Sequence, residues 1–478
     1  TPATKAVEFG QLEVLKTLSE LNPELLKGFD KGGWTPATLA AKKGNVEVLK
    51  ALYKIDKTLL TSFDKNGYTP ATIAAGNGQV HVLKALYYDI DMTLLTGSNK
   101  GGATPATFAA KMGNVEVLKA LYKIDKTLLT SFDKNGWTPA TLAAKKGNVE
   151  VLKALYKIDK TLLTGFDKNG WTPATKAVEF EQLEVLKTLS ELNPELLKGF
   201  DKNGWTPATL AVYFGQLEVL KTLSELNPEL LKESDKNGWT PATKAAQIGN
   251  VEVLKALYKI DKTLLTGFNK GGWTPATKAV EFGQLEVLEA LYKIDKTLLT
   301  DFDKGGWTPA TKAAQIGNVE VLKALHELNS ELLTGVDENG WAPATLAAKK
   351  GNVEVLKALY KIDKTLLTGL TKGGSTPATK AAQIGNVEVL KALYKIDKTL
   401  LTGFDKNGWT PATLAVYFEQ LEVLKTLSEL NPELLKENDK NGWTPATLAA
   451  KKGNVEVLKA LHELNAELLT GFNKNGWT

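Results

Sequence analysis

Apolar and polar positions alternate along this chain in a fixed order, and one stretch shows the rule. Between Thr138 and Trp171, Ala140, Ala143 and Ala144 form a small-residue face about two turns long. Val149, Val151, Leu152, Leu155 and Ile158 then follow at helical spacing, and Leu162 and Leu163 add a short apolar turn. Thr138 is a good helix N-cap, and Pro139 suits the first helical position, where a missing N–H costs nothing. Gly147 ends the first helix. The polar run Asp167-Lys168-Asn169-Gly170 is a turn signal, because Asn-Gly accepts the positive φ of tight reversals. The pattern predicts helix, turn, helix and a projecting hairpin-like loop. Neither helix can bury both faces alone, so stability must come from stacking copies.

The copies are present. Units begin at Thr1, Thr35, Thr69, Thr104, Thr138, Thr172, Thr206, Thr240, Thr274, Thr308, Ala342, Thr376, Thr410 and Thr444, and a fifteenth opens at Thr478. The step is constant except between Thr69 and Thr104, which holds one extra residue near Tyr88-Asp89. A loop that absorbs the residue is expected there, with a local kink as the alternative. The fold expected is all-α, a solenoid of about fourteen stacked units running as one array over 1–478. Solenoids carry polar end caps, and neither terminus shows one, so the array reads as a segment of a longer protein.

The segment Asp133-Lys134-Asn135-Gly136-Trp137-Thr138-Pro139-Ala140-Thr141-Leu142-Ala143-Ala144-Lys145-Lys146-Gly147, followed by a Val/Leu-rich helix, resembles the ankyrin-repeat family. Two features depart from that pattern. Thr-Pro-Ala-Thr stands where the family has Thr-Pro-Leu-His, and each unit is one residue longer. The resemblance implies an L-shaped unit, a curved superhelix, and recognition of one or more proteins on the concave face of loops and first helices.

Two sets of positions are candidates for that contact. All eleven tryptophans stand last in a unit. Trp137, Trp171, Trp205, Trp239, Trp273 and Trp307 form the central stretch of a row that also holds Trp34, Trp341, Trp409, Trp443 and Trp477. As anchors they would be interface hot spots. Each also precedes an N-cap and faces the fourth helical residue, which makes a hydrophobic staple the favoured reading. Those facing residues are leucine in some units and Lys176, Lys244, Lys278 and Lys312 in others. Variation concentrates at the two residues before the helix-ending glycine position. The first of each pair is the better contact candidate: Lys42, Lys111, Lys145, Glu179, Tyr213, Gln247, Glu281, Gln315, Lys349, Gln383, Tyr417 and Lys451. Phenylalanine at the second co-varies with Val two residues earlier, as in Val178 and Phe180, and reads as half core.

Composition narrows the function classes. The chain has 59 basic and 54 acidic residues, a net charge of +5, no cysteine and no arginine. Lysine alone weakens readings that need forked contacts to phosphate or base edges. A nucleic-acid-binding array, with loop lysines beside the tryptophan row, and a passive spacer are the alternatives to protein binding. Only His81, His326 and His462 occur, none in neighbouring units, and no metal-ligand or phosphate-cradling motif is present. No catalytic residue, metal or cofactor is assigned. With no long apolar run, a soluble, monomeric array is expected, either cytoplasmic or delivered into a host cell. The lysine-rich composition and shuffled near-identical cassettes are compatible with an AT-rich bacterial or parasite genome, and the resemblance to ankyrin-like proteins of host-associated bacteria implies a host-directed effector.

Overall fold

The computed structural model describes residues 1–470, so Trp477 and the unit opening at Thr478 lie outside the described residues. The chain forms two compact blocks, one over Thr1–Asn237 and a second that begins at Gly238. Each block is a stack of helix-turn-helix repeats, and the described residues contain no strand. Numbering each repeat from its Thr (Ala in the eleventh) as position one, the first helix starts at position two.

In the fifth repeat the first helix is Pro139–Lys146, the second is Val149–Ile158, and a 3₁₀ turn spans Lys160–Leu163. The first helix ends at Gly147 with φ +75°. The threonine at position four, where the family pattern has histidine, completes a reciprocal cap. Thr138 Oγ1 accepts from the Thr141 N–H at 3.2 Å, and Thr141 Oγ1 accepts from the Thr138 N–H at 3.1 Å. Two of the donors left over at a helix start are satisfied in this way. Threonine at this position also reaches the following loop, where the Thr107 and Thr277 hydroxyls sit against the carboxylates of Asp133 and Asp303.

The eleventh repeat lacks the reciprocal cap. Ala342 offers no side-chain acceptor, and only the bond from Thr345 Oγ1 to the Ala342 carbonyl remains, at 2.9 Å. Ala342→Thr is therefore expected to stabilise the second block by about 1 kcal/mol. Thermal or denaturant unfolding of the full chain checks this, and an unchanged midpoint would contradict it.

Within each block, successive first helices pack on one another, as do successive second helices. Ala140, Ala143 and Ala144 are buried, which lets the first helices approach closely, and Val151, Leu152 and Leu155 are fully buried behind them. Asn148 Nδ2 reaches back to the Ala110 and Lys111 carbonyls at 2.8 and 3.1 Å, which ties this second helix to the first helix of the preceding repeat. Tyr122 OH donates to Asp159 Oδ2 at 2.8 Å and so links neighbouring second helices.

The loops form a backbone ladder. Lys134 N–H donates to the Gly102 carbonyl at 3.0 Å, Lys168 to Gly136 at 2.8 Å, and Lys202 to Gly170 at 2.8 Å. Inside most loops a buried Asp holds the turn, with Asn99, Asn269 or Thr371 in its place in three others: Asp133 Oδ1 accepts from the N–H groups of Asn135 and Trp137, both at 2.9 Å. Burial pushes the Asp133, Asp167 and Asp201 carboxyls up, with the backbone bonds opposing it.

The extra residue of the third repeat sits in the second helix instead of a loop. Leu86–Ile90 form one π-helical turn, closed by Asp91 N–H to the Leu86 carbonyl at 2.8 Å. The inserted Asp89 pairs with Lys50 at 3.1 Å.

Candidate functional site

Position one caps, position four closes the cap, and the glycine at position ten ends the helix. Positions five, eight and nine of the first helix are thereby left on the face that also carries the preceding loop. The structure shows how these three divide the work.

Among the described residues each tryptophan is half-buried, and most of the rings are covered on their face, in one of two ways. Where position five is leucine, position eight of the same repeat covers the ring. Lys42 Nζ lies 4.3 Å from the Trp34 centroid, Lys145 4.3 Å from Trp137, Lys349 5.2 Å from Trp341, and Lys451 4.2 Å from Trp443. Tyr213 and Tyr417 do the same by stacking on Trp205 and Trp409 at 4.8 and 4.5 Å.

Where position five is lysine, that lysine lies over the rings. Lys176 stands between Trp137 and Trp171 at 4.5 and 4.4 Å, and Lys278 between Trp239 and Trp273 at 4.5 and 4.8 Å. Lys312 covers Trp273 at 3.9 Å, Lys380 covers Trp341 at 4.4 Å, and Lys244 lies 5.7 Å from Trp239. Position eight is then an acceptor. Lys176 pairs with Glu179 and Lys278 with Glu281, while Lys244, Lys312 and Lys380 donate to Gln247, Gln315 and Gln383 at 3.0, 3.0 and 2.9 Å.

Positions five and eight are therefore one coupled unit. Lysine at five goes with Glu or Gln at eight in every repeat that has it, and an apolar five never does. That covariation is visible in the sequence, but only a known ring position explains it. Repeats three and four follow the same logic by volume. Phe108 at position five of the fourth repeat packs on Tyr68, the last residue of the second, at 5.2 Å, and a Cβ on Gly76 would lie only 2.5 Å from its ring. The ring that ends a repeat is thus met by position five of the second repeat after it as well as by the one expected in the next.

Lys176, Lys278 and Lys312 are buried, with their ammonium groups turned over the rings. A buried ammonium needs its acceptor, since an unpaired one would lose more than the bond itself. Gln315→Leu is expected to cost about 2 kcal/mol, and Lys312→Leu with Gln315→Leu less than the sum of the single changes. A double-mutant cycle by denaturant unfolding reads this coupling, and strict additivity would contradict it.

Position nine carries the exposed apolar groups. Phe9, Met112, Phe180, Phe214, Ile248, Phe282, Ile316, Ile384 and Phe418 are all at least 38% exposed. Sequence reasoning placed phenylalanine there as half core and favoured position eight. Position eight stays accessible as well: Tyr213 is 52% exposed, and Lys42, Lys349 and Lys451 are exposed even where they lie over a ring. Lys43, Lys146, Lys350 and Lys452 fill the same position in other repeats.

Trp307 is half-buried like the other described tryptophans, and Lys111 is exposed beside Met112. Among the described residues, no three His, Asp or Glu side chains are grouped as metal ligands. A depression of about 510 Å³ lies away from this face, between second helices, lined by Val251, Lys255, Glu286, Glu289 and Lys293. No described helix is long and apolar enough to cross a membrane.

The model of the family described as ankyrin repeats in three copies matches residues 3–96, 90–162, 158–231, 224–300, 293–368 and 364–438. The chain belongs to the ankyrin-repeat family. Among solved structures it is similar to the ankyrin repeat domain of Bcl-3, described as a unique member of the IkappaB protein family. The identity is 21%, over 47% of this chain and 98% of that one, with a TM-score of 0.37. No curated protein matches. Ankyrin repeats generally mediate protein–protein interaction, and proteins built from them are typically non-enzymatic scaffolds.

Proposed function

We propose that this chain is a protein-binding scaffold that takes its partner on the face made by the first helices and loop tips. The observation that carries the reading is the run of exposed apolar side chains at position nine, set among lysines on a surface fixed by caps and loop ladders. Single exposed apolar groups are ordinary on a soluble protein, whereas a recurring row of them on one face marks an interaction surface. Tyr213, 52% exposed and stacked on Trp205, offers the rigid aromatic contact favoured at interface centres. Which of the candidate residues touch the partner follows from their exposure. Position nine, the exposed lysines and the two tyrosines make contact, while the tryptophans and buried lysines hold the surface level.

Peptides selected by display against the full chain test the reading. Phe180→Ser and Tyr213→Ala should weaken the selected peptides about tenfold or more, and Lys153→Glu on the second helix should leave them unchanged. The opposite ranking would place binding on another face.

A further inference from the structure

Charge along this chain is segregated by element. The fourteen first helices hold fifteen lysines and three glutamates, a surplus of twelve positive charges. The whole chain carries only +5, so everything outside the first helices is net negative. The loops on the same face add to the contrast, because Lys134 and Lys168 are exposed at the tips while Asp133 and Asp167 are buried below them.

The surplus is densest at two places. In the first block, Lys145 and Lys176 share the Trp137 ring at 4.3 and 4.5 Å, and Lys145 also lies 4.5 Å from the Phe180 ring. Exposed Lys111 and Lys146 flank them on the first helices Pro105–Met112 and Pro139–Lys146. Glu179 answers Lys176, and Asp167 lies near enough to act on it, which leaves Lys145 without a carboxylate in bonding contact. In the second block, Lys349 and Lys380 share Trp341 at 5.2 and 4.4 Å, beside exposed Lys350, and Lys380 is bonded only to neutral Gln383. Buried Asp337 is the acid near Lys349. Burial and neighbouring ammonium groups push Lys145 and Lys380 down, as expected of cations short of anions.

We infer that the partner segment held on this face is an acidic, extended polypeptide whose carboxylates sit over the lysine pairs and whose apolar side chains meet position nine. The inference rests on the binding face proposed above and adds the chemistry of what binds there. Packed helices lie about 10 Å apart, which about three residues of extended chain span, so the segment should repeat an acidic residue roughly every third position. Nucleic acid fits less well. Base stacking needs open ring faces, and lysine or tyrosine covers these rings. The apolar position-nine groups between the cations also match side chains better than a phosphate backbone.

The probes are a synthetic peptide with glutamate at every third position and leucine between, the same peptide with glutamine for glutamate, and an oligothymidylate. Each is titrated into the full chain by fluorescence anisotropy at low and physiological salt. The glutamate peptide should bind at least about tenfold tighter than the glutamine peptide, and more weakly as salt rises. Lys145→Glu with Lys146→Glu should weaken it about tenfold, and Lys153→Glu should not. Lys349→Glu with Lys350→Glu repeats the test in the second block should the first pair unfold the protein. Equal binding of the two peptides, tighter binding of the oligothymidylate, or indifference to both lysine pairs would overturn the inference. Display-selected binders that still depend on Phe180 and Tyr213 would then leave the binding face standing, and their loss would remove both.

Discussion

Gly170→Ala should destabilise the first block by about 3 kcal/mol, whereas Gly113→Ala should cost only about 1 kcal/mol. Both glycines have positive φ, +92° and +80°, so both substitutions suffer the same left-handed penalty. The difference lies in the neighbour. A Cβ on Gly170 would meet the Lys202 Cβ at 2.5 Å, in the adjacent loop of the ladder, while a Cβ on Gly113 meets nothing within 4 Å. The sequence carries a natural control. Position ten is Glu181 and Glu419 in two repeats, at φ 52° and 57°, but the hairpin glycine is kept in all fourteen. Denaturant unfolding of the two variants side by side reads the contrast. Equal losses would mean that the loop ladder is loose enough to move apart.

Removing a ring from the tryptophan row should be comparably costly. Trp137 is half-buried under Lys145 and Lys176, and its backbone N–H is held by Asp133. Trp137→Ala should lower stability by about 2–3 kcal/mol, less than for a fully buried aromatic because part of the ring is already wet. Each ammonium over the ring accounts for roughly 0.5–1 kcal/mol of that. Trp137→Phe should recover part of it, since Phe keeps a face for the cations. Melting of the three proteins checks the order, and an unchanged Trp137→Ala midpoint would show that the row is free surface.

The fold was legible in the sequence because its signals are local. Thr-Pro starts, glycine stops and helical leucine spacing act within a few residues, and repetition multiplies each of them. What was not legible involves neighbours in space. The extra residue near Tyr88 was expected in a loop, since loops tolerate insertions, but the helix end absorbs it as a π turn that keeps Leu94 and Leu95 buried. The lysines at position five looked like contact residues because lysine is ordinarily exposed. Lys176 is 2% exposed because two tryptophan rings and Glu179 offer its ammonium a better place than a flat surface could. The coupling between positions five and eight was open to view in the repeats, yet only the ring between them gives it a cause.

The division of labour along the first helix follows from that ring. Covalent neighbours set where a side chain starts, but the stack decides whether it turns inward. Position eight holds either the tryptophan ring or the position-five lysine while keeping part of its own surface exposed, and position nine varies in solvent. Repeats with Phe, Ile or Lys at position nine therefore differ in what they present while sharing one frame.

Hydrogen exchange on the full chain, with and without a display-selected peptide, tests the central claim most directly. The account predicts new protection in the loop tips and at the ends of the first helices, around Lys145–Lys146, Glu179–Phe180 and Tyr213–Phe214, with second helices such as Val149–Ile158 unchanged. Protection confined to the second helices and the 3₁₀ turns would contradict it.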